Sequence, residues 1–221
     1  MFKQLWTIVL DLVYPPKCPG CRGGVDVHGS WCGACLGRVL VPREISVQLH
    51  RLRHLDSCLA VCDYSGGVKR VIHDMKFRQA EKYARPLEGL LEMGLASGRI
   101  SSHDLVIPVP LHAERLKERG YNQNNLIFKD WAERQGLVWC SDNLIRTRPT
   151  QPQWELKLSE RRQNIKDAFI VTRPDDVSGK SILLVDDIIT SGTTMDECAK
   201  ALKRSGARTV CGLALASGAP Y

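Results

Sequence analysis

The sequence predicts an α/β fold, a mostly parallel sheet flanked by helices, preceded by a small cysteine-rich module. Three observations carry this. Two C-x-x-C units, Cys18–Cys21 and Cys32–Cys35, are separated by ten residues near the N-terminus. Further along, apolar strand-like runs alternate with segments of helical periodicity. One of those runs, SILLV (Ser181–Val185), passes directly into two aspartates and a small-residue turn.

A chain of 221 residues, 43% hydrophobic and 25% charged, can bury a substantial core. Its 31 basic and 24 acidic residues give a net charge of +7, which favours anionic partners such as phosphates or nucleic acid. The N-terminal MFKQLWTIVLDLVYPP is interrupted by Asp11, is too short to span a bilayer and lacks the three-part layout of a signal peptide. No transmembrane segment and a cytoplasmic location are therefore expected. Leu5, Ile8, Val9, Leu12 and Val13 share one helical face, so an amphipathic helix ended by Pro15 and Pro16 is predicted.

Each C-x-x-C unit sits in a turn rich in Gly, Pro or Ala, where backbone amides can point at a thiolate. Four such sulfurs can close a tetrahedron around zinc at about 2.3 Å. A disulfide framework fits poorly, because no secretory signal precedes it and Cys58, Cys62, Cys140, Cys198 and Cys211 share no spacing. Redox C-x-x-C chemistry would need only one pair. Cys18, Cys21, Cys32 and Cys35 are thus expected to hold a structural Zn²⁺ that supplies the module's folding energy. Trp31 is the only aromatic residue between Cys18 and Cys35, a thin basis for stacking on nucleic-acid bases. The chain divides at about residue 45, into a 1–45 module and a 46–221 domain.

In that domain Cys58–Cys62 reads as a buried strand. VKRVIHDMKF follows as a helix with Val68, Val71, Ile72 and Met75 on one face, and ARPLEGLLEMGLA as a second. Strands are expected at Leu105–Val109, Leu137–Cys140, Ala168–Val171, Lys180–Val185 and Thr209–Ala214, with helices at Asn125–Gln135 and Met195–Arg204. In open parallel sheets, ligands bind at the carboxyl ends of strands. Asp186 and Asp187 would emerge there, followed by Thr190, Ser191, Gly192, Thr193 and Thr194 at a helix N-terminus. Free N–H groups and the helix dipole favour an anion at such a place, the hydroxyls add donors, and Gly192 lets backbone approach closely. A lysine-bearing nucleotide loop is excluded, because the stretch has one glycine and no lysine. Two acids beside a phosphate cradle fit a ligand that also presents hydroxyls or a divalent cation, as a ribose 5-phosphate does.

ILLVDDIITSGTT resembles the phosphoribosyl-diphosphate-binding stretch of type I phosphoribosyltransferases. The wider chain resembles the ComF family over nearly its whole length: LDLVYPPKCPGC and WCGAC at the N-terminus, Tyr64-Ser65-Gly66 with Lys69, Ile72 and Lys76-Phe77, then PVPLHAERLKERGYNQ (Pro108–Gln123). Gln153, Leu156, Arg161, Arg162 and Asn164, followed by Ala168-Phe169, match a further stretch. The resemblance implies a type I phosphoribosyltransferase-like fold that binds phosphoribosyl diphosphate with Mg²⁺. It implies too that a mobile basic loop, here Arg115, Lys117 and Arg119, closes over the diphosphate. Asp187 stands as the candidate general base.

No acceptor pocket is legible. Two readings therefore stand: a phosphoribosyltransferase with an unspecified acceptor, or a non-catalytic sensor or adaptor. The family name implies a link to DNA uptake for either, with the second binding single-stranded DNA or a protein partner such as a competence protein. The basic stretches Arg115–Arg119, Arg146–Arg148 and Arg161–Lys166 suit either polyanion.

Overall fold

The computed structural model describes residues 13–95, 100, 103–149 and 158–219. Most of the predicted N-terminal helix, together with Gln153 and Leu156, lies outside these residues, as does the side chain of Arg161.

A short helix, α1 (Gly33–Val39), leads out of the cysteine turns into β1 (Leu40–Glu44). Then follow β2 (Ser57–Asp63), α2 (Gly66–Phe77), α3 (Ala84–Gly94) and β3 (Leu105–Pro108). Next come α4 (Ala113–Arg119), α5 (Gln123–Arg134), β4 (Val138–Trp139) and β5 (Leu144–Arg146). The chain continues through α6 (Leu158–Ile165), β6 (Phe169–Val171), β7 (Ser181–Ile189), α7 (Thr193–Arg204) and β8 (Thr209–Ser217). Six strands form one sheet in the order β1-β2-β8-β7-β3-β4, parallel except for β1. Among the described residues no helix is long and apolar enough to cross a membrane.

Two apolar layers cover the sheet. On one face Val71, Ile72 and Met75 of α2, Leu87, Leu90 and Leu91 of α3, and Ile127, Phe128 and Trp131 of α5 pack together. On the other, Met195, Cys198, Ala199 and Leu202 of α7 meet Leu52, Leu55, Ile165 and Phe169. Each fully buried aliphatic side chain contributes about 1.5–3 kcal/mol of burial free energy, so α2 and α7 are held by their apolar stripes more than by propensity.

Several expectations change. Ala168–Val171 does not join the parallel sheet: β6 pairs antiparallel with β5 in a separate two-stranded ribbon, and only Phe169 of its three residues is buried. Three residues with an exposed central Ile170 suit a ribbon with one covered face. β1, not anticipated, is an antiparallel edge strand, where Pro42 coincides with a register irregularity between Leu40 and Arg43. Most consequential is β7. It does not stop at Val185 but pairs with β8 through Ile189, opposite Ser217, so both aspartates lie within the strand. Its other neighbour, β3, pairs only as far as Pro108 opposite Val185, with one further bond from the Val109 amide to the Val185 carbonyl at 2.9 Å. Asp186 thus begins the segment that β3 leaves uncovered. The crossover from β3 leads outward to β4 and that from β7 leads inward to β8, which makes this gap the topological switch point of the sheet.

Candidate functional site

The four predicted ligand cysteines come together: their sulfurs all lie within 4.8 Å of one another. A Zn–S bond of about 2.3 Å gives a tetrahedral edge of about 3.8 Å, and Cys21 and Cys32 are 3.6 Å apart. Backbone amides serve the sulfurs as well, Cys32 N–H to Cys18 at 3.3 Å and Gly23 N–H to Cys21 at 3.4 Å. Burial raises the Cys18 thiol, but amides of Cys32, Cys21 and Gly20 overcome it and hold it down at about 6. Burial and then contacts with the other three thiols push Cys35 up to about 12. Four thiolates this close need a cation, and the donor set fits a closed structural Zn²⁺ site.

The module is docked, not free. Trp31, 6% exposed, donates its indole N–H to the Pro86 carbonyl of α3 at 2.8 Å. Arg70 of α2 donates to the carbonyls of Pro19, at 2.6 Å, and Gly20. A Cβ on Gly67 would overlap Gly20 Cα, so glycine at 67 permits the close approach. Burial of Trp31 removes it as a platform for base stacking.

At the switch point the two aspartates have different surroundings. Asp187 is buried, and the Lys76 ammonium lies 2.9 Å from its Oδ1 and 2.8 Å from Oδ2. Asp186 accepts from Asn124 Nδ2 at 3.0 Å and from the Asp187 amide at 3.0 Å. Asn124, 1% exposed, also donates to the Val109 carbonyl at 3.1 Å, while the Asn122 side chain caps α5 by accepting from the Asn124 amide. Burial, and then the neighbouring Asp187 charge, push Asp186 up to about 7.

The hydroxyl-rich segment does precede a helix. Gly192 is the residue before α7, with φ of 72°, and Ser191 and Thr193 hydroxyls are 2.9 Å apart. Thr194 lies inside the helix and is not its cap. Gly192 has a reason beyond ligand approach: its conformation is left-handed, and a Cβ would come within 2.7 Å of Leu52 Cδ1. The Leu52 segment is pinned there by His54, whose amide and ring Nδ1 reach Asp196 at 2.8 and 3.2 Å.

The expected basic loop is a helix. His112 and Gly120 bound α4, Gly120 in a left-handed C-cap with φ of 84°. Arg115 and Arg119, four residues apart, share a face and line a cavity of about 380 Å³ with Lys76, Phe77, Arg78, Gln79 and Glu118. Lys117 falls two positions from each, is exposed, and does not line the cavity. Arg119 also donates to Gln123. Burial lowers its pKa, an effect opposed by Asp187. Arg162 is exposed on α6 and donates to the Arg51 carbonyl at 3.1 Å.

Sequence reasoning assigned no site role to Lys76 or Asn124. Lys76 had a signal: it falls four residues after Ile72, at the edge of the apolar stripe of α2, where a cation implies a buried partner. Asn124 had none.

A phosphoribosyl transferase domain matches residues 145–218 and a double zinc ribbon domain residues 9–45. The DNA utilization protein YhgH of Salmonella typhimurium is 34% identical over 198 residues, covering 87% of this chain and 80% of its own. The chain belongs to the ComF family. Other ComF-family relatives are Competence protein F of Haemophilus influenzae, 29% identical over 88% of this chain and 82% of its own, and ComFC of Bacillus subtilis, 28% identical over 86% and 78%. Among solved structures, a glutamine phosphoribosylpyrophosphate amidotransferase from B. subtilis aligns with 57% of this chain and 25% of its own, at a TM-score of 0.37 and 22% identity. By its two domain matches, its sheet order and its cysteine cluster, this ComF-family chain joins a phosphoribosyltransferase-like parallel sheet to an N-terminal zinc ribbon.

Proposed function

We propose that this protein binds Mg²⁺–phosphoribosyl diphosphate at the switch point of its sheet, in a role connected with the handling of DNA taken up by the cell. One observation carries the reading: the acidic pair near the end of β7 runs on into a hydroxyl-rich turn before α7, and Lys76 links that pair to a cationic cavity. The amides and hydroxyls of Thr190–Thr194 receive the 5-phosphate. Asp186 and Asp187 accept hydrogen bonds from the ribose hydroxyls. Arg115 and Arg119 face the diphosphate, and Lys117 supplies only long-range charge. Magnesium arrives with the ligand; among the described residues the only cluster of three or more metal-ligating side chains is the four cysteines. When bound, Mg²⁺ would neutralise diphosphate charge, with Asp186 and Asp187 as the acids that would hold it. As a transferase, the protein would position the anomeric carbon and stabilise the departing diphosphate, with Asp187 as the base for an acceptor nitrogen.

The link to DNA rests on the names of the relatives, which are a DNA utilization protein and two competence proteins. Single-stranded DNA and competence proteins are accordingly proposed partners, as is a cytoplasmic location. Calorimetric titration with phosphoribosyl diphosphate and Mg²⁺ tests the ligand. Saturable binding, lost in D186N/D187N, is expected; no binding by the folded wild-type protein overturns the reading.

A further inference from the structure

We propose that Lys76 is an exchange residue: it neutralises Asp187 while the site is empty, and passes to the diphosphate when a ribose hydroxyl takes its place on Asp187. This deepens the phosphoribosyl diphosphate reading and rests on it.

Lys76 belongs to two environments at once. Its ammonium sits within 2.9 Å of both Asp187 oxygens, yet its side chain also lines the cavity beside α4. The partners differ in exposure, 20% for the lysine side chain and 3% for the aspartate. Among the described residues Asp187 Oδ2 has no aligned hydrogen-bond donor, only the ammonium at 2.8 Å. A carboxylate so enclosed is unfavourable without a replacement donor. Lys76 can therefore leave only when another group donates to Asp187, and ribose hydroxyls are such donors.

The cavity supplies the other half of the exchange. Four cations line it, Lys76, Arg78, Arg115 and Arg119, against one acid, Glu118. Arg78 lies 3.5 Å from Asp74 and is 71% exposed at its side chain, so its charge is partly matched and well solvated. A diphosphate entering here meets a cationic wall in which Arg78 meets Asp74, Arg119 donates to Gln123, and Lys76 is the member held by the acidic pair of β7. A lysine suits the transfer, since its flexible stem carries a compact charge with three rotatable donors. Hydroxyl binding at Asp187 and diphosphate binding in the cavity thus each free the other's partner, and such coupling is reciprocal.

The test uses calorimetry on wild type, K76M and K76R with three probes: Mg²⁺–phosphoribosyl diphosphate, inorganic diphosphate with Mg²⁺, and ribose 5-phosphate. K76M should bind the two diphosphate-bearing probes about tenfold more weakly or worse. Ribose 5-phosphate should bind K76M at least as tightly as wild type, because no ammonium has to be displaced from Asp187. In wild type, saturating inorganic diphosphate should tighten ribose 5-phosphate binding, and K76M should abolish that tightening. K76R should restore diphosphate binding. A uniform loss across all three probes, which a merely structural role predicts, overturns the exchange, as does the absence of any loss. If K76M fails to fold, K76M/D187N removes the stranded charge and should bind inorganic diphosphate with Mg²⁺ about tenfold more weakly than D187N alone; equal binding by the two overturns the proposal. Wild type that binds none of the probes defeats the ligand reading itself, whereas wild type that binds phosphoribosyl diphosphate without the K76M pattern defeats the Lys76 role alone.

Discussion

Asp186 and Asp187 are identical in chemistry and adjacent on one strand, but a lysine holds one and an asparagine amide the other. With its carboxyl pushed up to about 7, Asp186 binds a proton more tightly in the folded chain than in the unfolded one. Its effect on stability runs opposite to that of a salt-bridged aspartate. No penalty exists below the unfolded pKa near 4; it grows as pH rises and is complete above about 7. D186N should therefore match wild type near pH 4 and exceed it by roughly 2 kcal/mol at pH 8, a figure reduced for the residue's partial contact with solvent. Urea denaturation of both proteins at several pH values checks this, and a wild-type advantage at pH 8 contradicts it. N124A should cost on the order of 1–2 kcal/mol, because the Val109 carbonyl and Asp186 each lose a donor; equilibrium unfolding measures it. The acids and the hydroxyl-rich turn were legible in the sequence because each is a local pattern. Lys76 and Asn124 were not assigned, since each gains its role from a partner 111 and 62 residues away.

At the scale of elements, α2 joins two pieces of chemistry. Its first turn bears Gly67 against Gly20 of the zinc module, and its last turn bears Lys76 against Asp187. G67A inserts a methyl group where backbone already touches. It should destabilise the fold by about 1–3 kcal/mol while the four cysteines keep their metal; thermal melting and a colorimetric zinc assay on one sample separate the effects. Unchanged melting would mean that the module does not bear on α2. G192A should be costly by a similar route, since it must adopt a left-handed conformation and displace Leu52. Helical periodicity located α2, α5 and α7 well, because their apolar stripes face one layer each. Strand ends were less legible: β7 and β8 run on together through Ile189 and Ser217, and only pairing between distant segments shows that. The family resemblance implied a loop at α4, and seven residues with little apolar surface give no stripe to show the helix instead.

At the scale of the whole molecule, the cysteine module is tied to the sheet domain through α2 and α3. Chelating zinc, or replacing Cys18 and Cys35 with serine, should release the module from α3 and expose Trp31. A red shift in tryptophan emission that W31F abolishes is the expected result; a shift of equal size in W31F would assign it to another tryptophan. No local pattern specifies which strands become neighbours, so the order β1-β2-β8-β7-β3-β4 could not be read from the sequence, although its mostly parallel character could. That order has a consequence for life at high protein concentration. Both outer margins of the sheet are blunted, one by Pro42 and an irregular register, the other by a strand of only two residues. Neither offers the long run of free amides and carbonyls on which a second molecule could template itself. A basic protein gathered densely on a polyanion would thus be guarded against strand-by-strand aggregation with its own copies.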